Sequence, residues 1–361
     1  MKIAFFTDTY EPQINGVVTS INIFKKYLEK YDNKVSVFSP ATPGFKHKRN
    51  AFTFPSIEFS KYPGYRIAVP YKMRVARKFD VVHVHTPFSM GLAGIAVAKF
   101  YKKPVVGTFH TLIPEFTDYF IKTRRFKKLL RKIAWRYSIW FYNMCDVVIA
   151  PSPEIKTLLK NHGIKKRIEV VPTGLEKPKK IEKAVLRKKY KFSRKDKIVL
   201  HVGRISKEKN ISFILRALKN KPGSWTFIIA SDGPYKKNLE KIVSRLGMKN
   251  VVFTGFVSQD KLNELYFLAD ALVVASKSET QSIVVAEAAA RALPVVSLDT
   301  PVIANFIRRN KAGIVTGEKN FLASLKKILE NHKKTAIKWH TIEETTKSLM
   351  NIYKSLNPNS S

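Results

Sequence analysis

Short apolar runs recur along the chain and are separated by segments with helical periodicity. In the first half they are KIAFF (2–6), KVSVFSP (34–40), DVVHVHT (80–86), PVVGTFH (104–110) and DVVIAPS (146–152). The runs are apolar throughout rather than alternating, which is typical of strands buried on both faces. A parallel sheet covered by helices satisfies that pattern, so the sequence predicts an α/β fold.

The same pattern restarts after a Lys- and Pro-rich stretch at 170–197. The second set of predicted strands comprises 198–204, 226–234, 251–257, 271–276 and 294–299. With 361 residues available, two successive repeats predict two doubly wound Rossmann-like domains facing a cleft. We expect one domain over 1–172 and the other over 173–337, with a C-terminal helix at about 338–356 that packs back on the first.

Cysteine content and hydropathy indicate the compartment. The chain has one cysteine, Cys145, which excludes an internal disulfide and lies before an apolar strand, where we expect it to fill the core. No apolar run is long enough to span a bilayer, and Asp8 and Glu11 interrupt the N-terminal run too early for a signal peptide. These features predict a cytosolic protein.

The loops after the predicted strands are the expected ligand sites, because ligands of open parallel sheets lie beyond the strands' carboxyl ends. Neither G-x-G-x-x-G nor G-x-x-x-x-G-K-[ST] occurs there. Gly16 precedes a helix whose first amides could face an anion. Gly203 directly follows another strand, and the cations of Arg204 and Lys209 after it could clamp a pyrophosphate. In so basic a chain, these two residues could equally be ordinary solvated cations.

The stretch SETQSIVVAEAAARALPVV (278–296) combines a polar turn with an alanine-rich helix. Ser282 is an acceptable N-cap, and the amides of Ile283 and Val284 would favour an anion. A lone carboxylate at Glu287 is costly to bury unless a diol such as a ribose donates hydrogen bonds to it. Glu279, ahead of the helix, would meet the other end of an extended ligand. Hydroxyls at both ends with phosphates between them describe a nucleotide sugar.

Several motifs, in order and spacing, resemble a known family. VGRISKEKN, IIASDGPY, VVFTGFV and SETQSIVVAEAAARALPVV resemble the donor domain of retaining GT-B glycosyltransferases of glycosyltransferase family 4. FFTDTYEPQINGVVTSI, VVHVHTPFSMGLAG and PVVGTFHT resemble its acceptor domain. Within the family, the likeness is greatest to the branch that transfers α-glucose to diacylglycerol.

The resemblance implies a set of site residues. Glu279 corresponds to a glutamate that contacts the donor sugar, Glu287 to one that binds the ribose, and His110 to a histidine near the anomeric carbon. Arg204 and Lys209 would stabilise the charge on the departing diphosphate. The remaining donor-binding positions are Gly16, Gly203, Gly233, Gln281, Ser282, Ile283 and Val284.

The family's chemistry retains anomeric configuration by front-face displacement. The resemblance therefore implies that no metal or other cofactor is needed, and that the leaving diphosphate helps to deprotonate the acceptor. His83 and His85 alternate along a predicted strand, so one could face the cleft, while core packing explains either of them.

Two positions depart from the family pattern. Ser282 stands where the family usually has glycine, and would either narrow the site or supply a hydroxyl. Ala292 also replaces a usual glycine; we expect a tolerated packing change, since only a positive φ would exclude alanine.

Residues 119–145 contain no acid and eight basic side chains. Apolar residues recur at helical spacing on the same stretch. This pattern predicts an amphipathic helix on an anionic membrane surface, although an ordinary surface helix that packs its stripe on the sheet fits too. A second basic and aromatic region lies at 61–78. The predicted membrane-binding residues are Arg124, Arg125, Lys127, Lys128, Arg131, Lys132, Trp135 and Trp140.

The leading hypothesis is a peripheral enzyme on the cytoplasmic face of the membrane that transfers glucose from UDP-glucose to diacylglycerol. The alternatives are another hexosyl donor, or a phosphatidylinositol-type or soluble acceptor. The excess of 66 Lys and Arg over 27 Asp and Glu also suits a nucleic-acid-binding protein. Against that alternative, no zinc-ligand spacing or RNA-binding aromatic motif is present, and paired glutamates would repel phosphates.

Overall fold

A computed structural model describes residues 1–45, 50–59, 65–71, 73–116, 124–220, 224–331, 337 and 339–357, with backbone alone at 115–116 and 124–125. The chain divides into two compact units. The first comprises Met1–Gly174 with His340–Ser361, and the second comprises Leu175–Trp339. Each unit has its own parallel sheet.

The first unit is built on a parallel sheet that has seven strands within the described residues, in the order β3-β2-β1-β6-β7-β8-β9. The strands of this unit are β1 (Lys2–Phe6), β2 (Lys34–Pro40), β3 (Ala51–Phe54), β4 (Ser56–Glu58), β5 (Arg66–Ala68), β6 (Val81–Val84), β7 (Val105–Thr108), β8 (Val147–Ala150) and β9 (Arg167–Val170). β4 and β5 form a separate antiparallel hairpin. The direction of the sheet order reverses between β1 and β6, so their carboxyl ends mark the expected binding position.

Helices cover this sheet. They are α1 (Gly16–Lys30), α2 (Ser89–Phe100), α3 (Ile113–Phe116), α4 (Arg124–Tyr142), α5 (Pro153–Asn161) and the C-terminal helix Ile342–Leu356, with a 3-10 helix at Met73–Lys78. The C-terminal helix begins with a capping box between Thr341 and Glu344. Its Leu349 and Tyr353 are buried in one core with Ile21 of α1. Cys145 is buried, as the sequence predicts, and burial raises the pKa of its thiol to about 12.

The second unit is built on a parallel sheet whose order is β12-β11-β10-β13-β14-β15. Its strands are β10 (Lys197–Val202), β11 (Trp225–Ala230), β12 (Val251–Gly255), β13 (Ala271–Val274), β14 (Val295–Leu298) and β15 (Gly313–Thr316). The switch in strand order falls between β10 and β13. The loops after these two strands contain the two motifs GRISKEKN and SKSETQS, so the topology brings both motifs to one edge of the sheet.

Helices also cover the second sheet. They are α6 (Lys183–Lys189), α7 (Ile211–Leu218), α8 (Lys236–Arg245), α9 (Gln259–Leu268), α10 (Ile283–Ala290), α11 (Pro301–Asn310) and α12 (Phe321–Asn331), which makes the C-terminal helix of the chain α13. Short 3-10 helices lie at Lys207–Lys209 and Glu318–Asn320. Among the described helices, none has the length and apolar character needed to cross a membrane.

The predicted α/β fold with two Rossmann-like sheets is confirmed, and the structure adds five strands: β3, β4, β5, β9 and β15. Three of these, β3, β9 and β15, lie at sheet edges, and most of their residues keep some exposure. These three strands read AFTF, RIEV and GIVT, short runs interrupted by polar residues or glycine. The edge strand β12 is predicted because it belongs to the longer run VVFTGFV.

Candidate active site

In the second unit, the switch point brings two predicted site residues into direct contact. The ammonium of Lys209, from the loop after β10, donates to Oε1 of Glu279, from the loop after β13, at 2.6 Å. Both side chains are mostly buried. The two residues are 70 positions apart in sequence, and the parallel alignment of β10 with β13 brings them together.

A second carboxylate acts on the same ammonium. Burial opposes the charge of Lys209, but Glu279 and Glu208 outweigh burial and raise its pKa above the usual value. Burial also raises the pKa of Glu208, whose carboxylate accepts a hydrogen bond from the Ser206 hydroxyl at 2.6 Å. The Lys209 ammonium is therefore a strongly held cation beside the end of β10.

The loop that carries Lys209 is fixed by the loop after β11. The Ile205 amide donates to the Asp232 carbonyl, and the Tyr235 amide donates to the Ile205 carbonyl. Gly233 lies so close to Ile205 that an added Cβ would stand 2.3 Å from the Ile205 carbonyl oxygen. Gly233 therefore supports the site through close backbone packing, in addition to its predicted place in donor binding.

Gly203 and Arg204 lie at the end of β10. Gly203 has a φ of +133°, and a Cβ there would meet no atom within 4 Å. Glycine is thus required by backbone conformation rather than by crowding, and the space beside it is open. Arg204 is half-buried next to it.

The start of α10 differs from the prediction for Ser282. Its backbone is left-handed (φ 62°, ψ 68°) and its side chain makes no capping hydrogen bond. The expected N-cap interaction is therefore wrong: a side-chain cap goes with an extended backbone at the cap residue. The Ser282 hydroxyl is buried without a hydrogen-bond partner, while Gln281, Ile283 and Val284 remain half-buried around it.

The expectation for Ala292 is also wrong. This residue has a φ of +53°, in the region where a Cβ is disfavoured by about 1–2 kcal/mol. Both departures from the family's glycines thus occupy backbone positions that glycine suits best. The physical cause is the same in each case, since the turns before and after α10 reverse the chain through a left-handed residue.

Glu287 is not the lone carboxylate that the sequence indicated. Its Oε2 accepts a hydrogen bond from the Tyr266 hydroxyl at 2.7 Å, and burial raises its pKa. The Arg291 guanidinium donates to the Glu287 carbonyl and to Asn263. No local pattern distinguishes Tyr266 from other tyrosines on apolar helix faces, whereas the i,i+4 spacing of Glu287 and Arg291 is a recognisable signal.

His201 is a buried histidine close to the Lys209–Glu279 pair. Nδ1 of His201, on β10, donates to the Val273 carbonyl at 3.0 Å. Its Nε2 is buried without a partner. Burial lowers its pKa to about 4, and Lys209 contributes to that lowering, so the ring is neutral close to the charged pair.

In the first unit, the ends of β6 and β7 bring histidines together. His85 Nδ1 and His110 Nε2 lie 3.0 Å apart. His83 bonds Tyr353 through one ring nitrogen and Thr108 through the other, each at 2.6 Å. His83 and His85 are both buried, which agrees with the core-packing alternative. His110 keeps some exposure.

Burial keeps these imidazoles neutral. It lowers the pKa of His110 to about 3 and the pKa values of His83 and His85 well below the usual value. His110 is therefore available at neutral pH as a neutral hydrogen-bonding group, and it is not a proton donor of the imidazolium type.

Asp8, for which the sequence predicts no role in a site, lies directly beyond β1 and joins it to the loop after β6. Its carboxylate accepts hydrogen bonds from the hydroxyls of Thr86 and Ser89 and from the Met90 amide, at 2.6, 2.7 and 2.8 Å. Burial raises its pKa, and these hydrogen bonds oppose that rise. Asp8 thus caps the start of α2 and holds the loop after β6.

Gly16 begins α1, as predicted. The Asn15 side chain caps the helix by accepting from the Val18 amide at 3.0 Å. An added Cβ on Gly16 would meet nothing within 4 Å, so the space beside the first turn of α1 is open.

The predicted membrane-binding residues lie on α4. Large apolar side chains on this helix remain exposed: Phe126 (60%), Leu129 (54%), Ile133 (51%) and Trp140 (52%). Lys128, Arg131, Lys132 and Arg136 are exposed on the same helix, and Lys127 is half-buried. The side chains of Arg124 and Arg125 lie outside the described residues. The exposed apolar stripe shows that α4 does not bury its whole apolar side in the core.

Trp135 has a different environment from Trp140. Its ring stacks on His162, with centroids 3.7 Å apart, and is parallel to Phe109 at 6.3 Å. Trp135 is half-buried, so packing within the unit occupies at least one face of its indole. Its role at a membrane stays a prediction.

Within the described residues, no group of three or more His, Cys, Asp or Glu side chains is arranged to hold a metal ion. The charged groups at the ends of β10 and β13 are instead a lysine and carboxylates, arranged as described above.

Comparisons with known proteins agree with this architecture. A solved structure, Anabaena Alr3699/HepE in complex with UDP-glucose, superposes with a TM-score of 0.73 at 20% identity and covers 99% of this chain and 95% of that one. The fold is that of the GT-B glycosyltransferases.

Sequence comparison identifies the family. The Glycosyltransferase Family 4 model matches residues 14–177, and the Glycosyl transferases group 1 model matches residues 182–343. An alpha-monoglucosyldiacylglycerol synthase of Streptococcus pneumoniae is 32% identical over 85% of this chain and 73% of its own length. One from Acholeplasma laidlawii is 32% identical over 87% and 84%. The chain belongs to glycosyltransferase family 4 and is a glycosyltransferase.

Proposed function

We propose that this chain transfers glucose from UDP-glucose to 1,2-diacylglycerol with retention, producing α-monoglucosyldiacylglycerol. The proposal rests on the activity for which the two relatives at 32% identity are named and on the charged pair at the second unit's switch point. The contact between Lys209 and Glu279 is the observation that carries it. It combines a cation for a diphosphate with a carboxylate for sugar hydroxyls, at the edge where α/β sheets bind ligands.

The donor is proposed to bind along the second unit. Lys209 and Arg204 would hold the diphosphate, while Glu279 would accept hydrogen bonds from the hexose hydroxyls. The first amides of α10 would add donors to the phosphate oxygens. Such groups stabilise the negative charge that grows on the leaving diphosphate. In this proposal the chemistry uses no metal, since lysine, arginine and amides supply the positive charge.

His110 is proposed to contact the reacting sugar as a neutral imidazole. Its Nε2 lies 3.0 Å from Nδ1 of His85, a contact that orients the ring at the end of β7. Because its pKa is lowered to about 3, His110 would orient the sugar without adding a positive charge next to the anomeric carbon. The acceptor's proton would pass to the leaving diphosphate.

The membrane is proposed to be the site of action, with the enzyme held peripherally at the cytoplasmic face. The exposed stripe on α4 is accompanied by exposed cations. Apolar side chains that enter the headgroup region and cations that pair with anionic lipids act together in this way, and each engaged cation contributes about 1 kcal/mol.

Product analysis tests the reaction. The purified chain is incubated with UDP-glucose, UDP-galactose and diacylglycerol in anionic micelles, and the lipids are examined by mass spectrometry and proton NMR. We expect one hexose on diacylglycerol, with glucose preferred and an α-anomeric proton. Lack of a product with every common sugar nucleotide would refute the proposal, and a β-anomer would refute retention.

Vesicle flotation tests the membrane surface. Ile133→Glu should reduce binding to vesicles that contain phosphatidylglycerol, because it places a carboxylate within the exposed stripe. Phe100→Glu is the matched control, since Phe100 is an exposed apolar residue (79%) of the same unit on another helix. Equal flotation of both variants and of the unaltered chain would exclude α4 as the contact. Failure of the unaltered chain to float with anionic vesicles would favour a soluble acceptor.

A further inference from the structure

Glu287 of α10 is held by a side chain from a different helix. Tyr266 on α9 is 1% exposed, and its hydroxyl donates to Oε2 of Glu287 at 2.7 Å. A hydrogen bond from a neutral donor to a carboxylate is short and strong. It fixes the rotamer of Glu287 and engages one of the two carboxylate oxygens, so Oε1 remains to accept from a ligand.

Arg291 fixes the other side of this arrangement. Its guanidinium lies over the Tyr266 ring, 5.0 Å from the centroid. It donates from Nη1 to the Glu287 carbonyl at 2.9 Å and from Nε to Asn263 Oδ1 at 2.8 Å. Asn263 in turn donates to the Lys179 carbonyl at 2.8 Å. Tyr266 is thus held between a cation and a carboxylate, and α9 is joined to the end of α10.

This network also acts on the pKa of Glu287. Burial raises the pKa of Glu287, and the Tyr266 hydrogen bond and the Arg291 charge both oppose that rise. These are the titratable side chains that act on Glu287. Leu175, Phe306 and Trp339 pack with Ile283, Ala286 and Ala290 of α10 in one apolar cluster.

We propose that Tyr266 and Arg291 are positioning residues for ribose recognition: together they orient Glu287 so that one oxygen accepts hydrogen bonds from the ribose hydroxyls of the nucleotide. Neither residue needs to touch the nucleotide. The inference rests on the proposed use of a UDP-sugar donor, and it adds the residues that keep the ribose-binding carboxylate in place.

Calorimetric titration with UDP and with 2′-deoxy-UDP tests the orientation. The unaltered chain should bind UDP about tenfold more tightly than 2′-deoxy-UDP, because a hydrogen bond to a charged group is lost. Tyr266→Phe should weaken UDP binding about tenfold and bring the two affinities close together. Glu287→Gln should do the same, and kcat at saturating donor should change little in Tyr266→Phe.

Tyr190→Phe is the matched control. The Tyr190 hydroxyl also donates to a carboxylate, that of Glu264 on α9, but that pair is remote from α10 in sequence and contacts Lys189 and Lys261 instead. This variant removes the same kind of hydrogen bond in the same unit. It should leave UDP affinity and the preference over 2′-deoxy-UDP at their original values.

The pH dependence of UDP affinity separates positioning from a general structural effect. Glu287 binds ribose as the carboxylate, so its contribution is present above its pKa and is lost as the pH falls through it. Removing the Tyr266 hydroxyl raises that pKa, so the loss should begin at a higher pH in Tyr266→Phe. The shift should be absent when Tyr266→Phe is combined with Glu287→Gln, which removes the titrating group. Arg291→Ala should move the profile in the same direction.

The outcomes distinguish this inference from the proposed function. If the unaltered chain binds no UDP, the proposed donor is wrong. If it binds UDP but Tyr266→Phe retains the affinity, the preference and the pH profile, the positioning role is wrong. If Tyr266→Phe loses affinity equally for UDP and 2′-deoxy-UDP with an unchanged pH profile, its effect is structural and the inference is overturned.

Discussion

The site side chains that follow two central strands are neutral in the first unit and charged in the second. In the first unit, β6 and β7 end at imidazoles that burial keeps neutral, and His85 bonds His110. In the second unit, β10 and β13 end at a lysine and a glutamate that form an ion pair. The same sheet topology therefore supports a neutral hydrogen-bonding site in one unit and a charged site in the other.

The difference follows from what surrounds each group. The histidines have no carboxylate among the partners that shift their pKa values, so desolvation decides and the neutral form wins. Lys209 is also desolvated, but Glu279 and Glu208 compensate, so its charged form wins. In the proposed reaction the charged site would bind the donor diphosphate, and the neutral imidazole would add no positive charge beside the anomeric carbon.

The largest expected effect comes from removing the charge of Glu279. Glu279→Gln should lower kcat/KM for UDP-glucose by about a thousandfold, because the sugar contact is lost and Lys209 loses its partner. Initial rates with diacylglycerol in anionic micelles measure the effect. Glu264→Gln, which breaks the exposed Lys189 pair of the same unit, is the control and should stay near the original rate. A Glu279→Gln rate within threefold of the original would show that the charged site has no catalytic role.

Mild acid should destabilise the first unit more than the second. Neutral buried histidines stabilise the fold above the unfolded pKa of about 6.5, and this contribution falls as the pH drops from there towards about 3 for His110 or about 4 for His201. Each histidine contributes up to about 1.4 kcal/mol per pH unit in that window. His83, His85 and His110 lie in the first unit and His201 in the second.

Hydrogen exchange read by mass spectrometry at pH 7.5 and pH 5.5 measures this difference. Peptides from β6 and β7 should lose more protection than those from β10 and β13. The opposite order would mean that groups other than the histidines dominate the acid response.

Replacing His110 should affect turnover more than binding. His110→Ala should lower kcat by about a hundredfold, because a hydrogen bond at the reacting sugar is removed, while UDP affinity stays near its original value. His162→Ala is the control within the first unit, since His162 lies on α5's C-terminal side and stacks on Trp135. The rate of the unaltered enzyme should show no ionisation of His110 between about pH 6 and 8; a titration there that disappears in His110→Ala would contradict a neutral imidazole.

The smallest expected effect concerns the two left-handed residues beside α10. Ser282→Gly and Ala292→Gly should each raise the stability of the second unit by about 1 kcal/mol, since glycine takes a positive φ without a Cβ clash. Ala290→Gly, inside α10, should instead lower it by about 1 kcal/mol. Thermal unfolding measures all three. A lower melting temperature for both glycine variants at 282 and 292 would contradict the strain.

Much of the fold could be predicted because it depends on local pattern. The central strands have continuous apolar runs, and the helices between them require parallel strands, so the sheets and their ligand-binding edges followed. The edge strands β3, β9 and β15 were missed because their runs are short and interrupted by polar residues or glycine, whereas the edge strand β12 lies in the longer run VVFTGFV. Lys209, Glu279 and Glu287 were found through motif spacing, whereas Tyr266 had no local signal.

Local sequence pattern is enough to predict two parallel sheets, the loops that end their strands and the family to which the chain belongs. The tertiary structure decided which side chains meet: Lys209 with Glu279 across 70 residues, and Tyr266 with Glu287 across 21. It also decided that Ser282 and Ala292 take positive φ. Apolar periodicity indicates which segments are buried, and it can be recognised within a short stretch of sequence. Hydrogen bonds and backbone turns depend on neighbours that only folding brings into range.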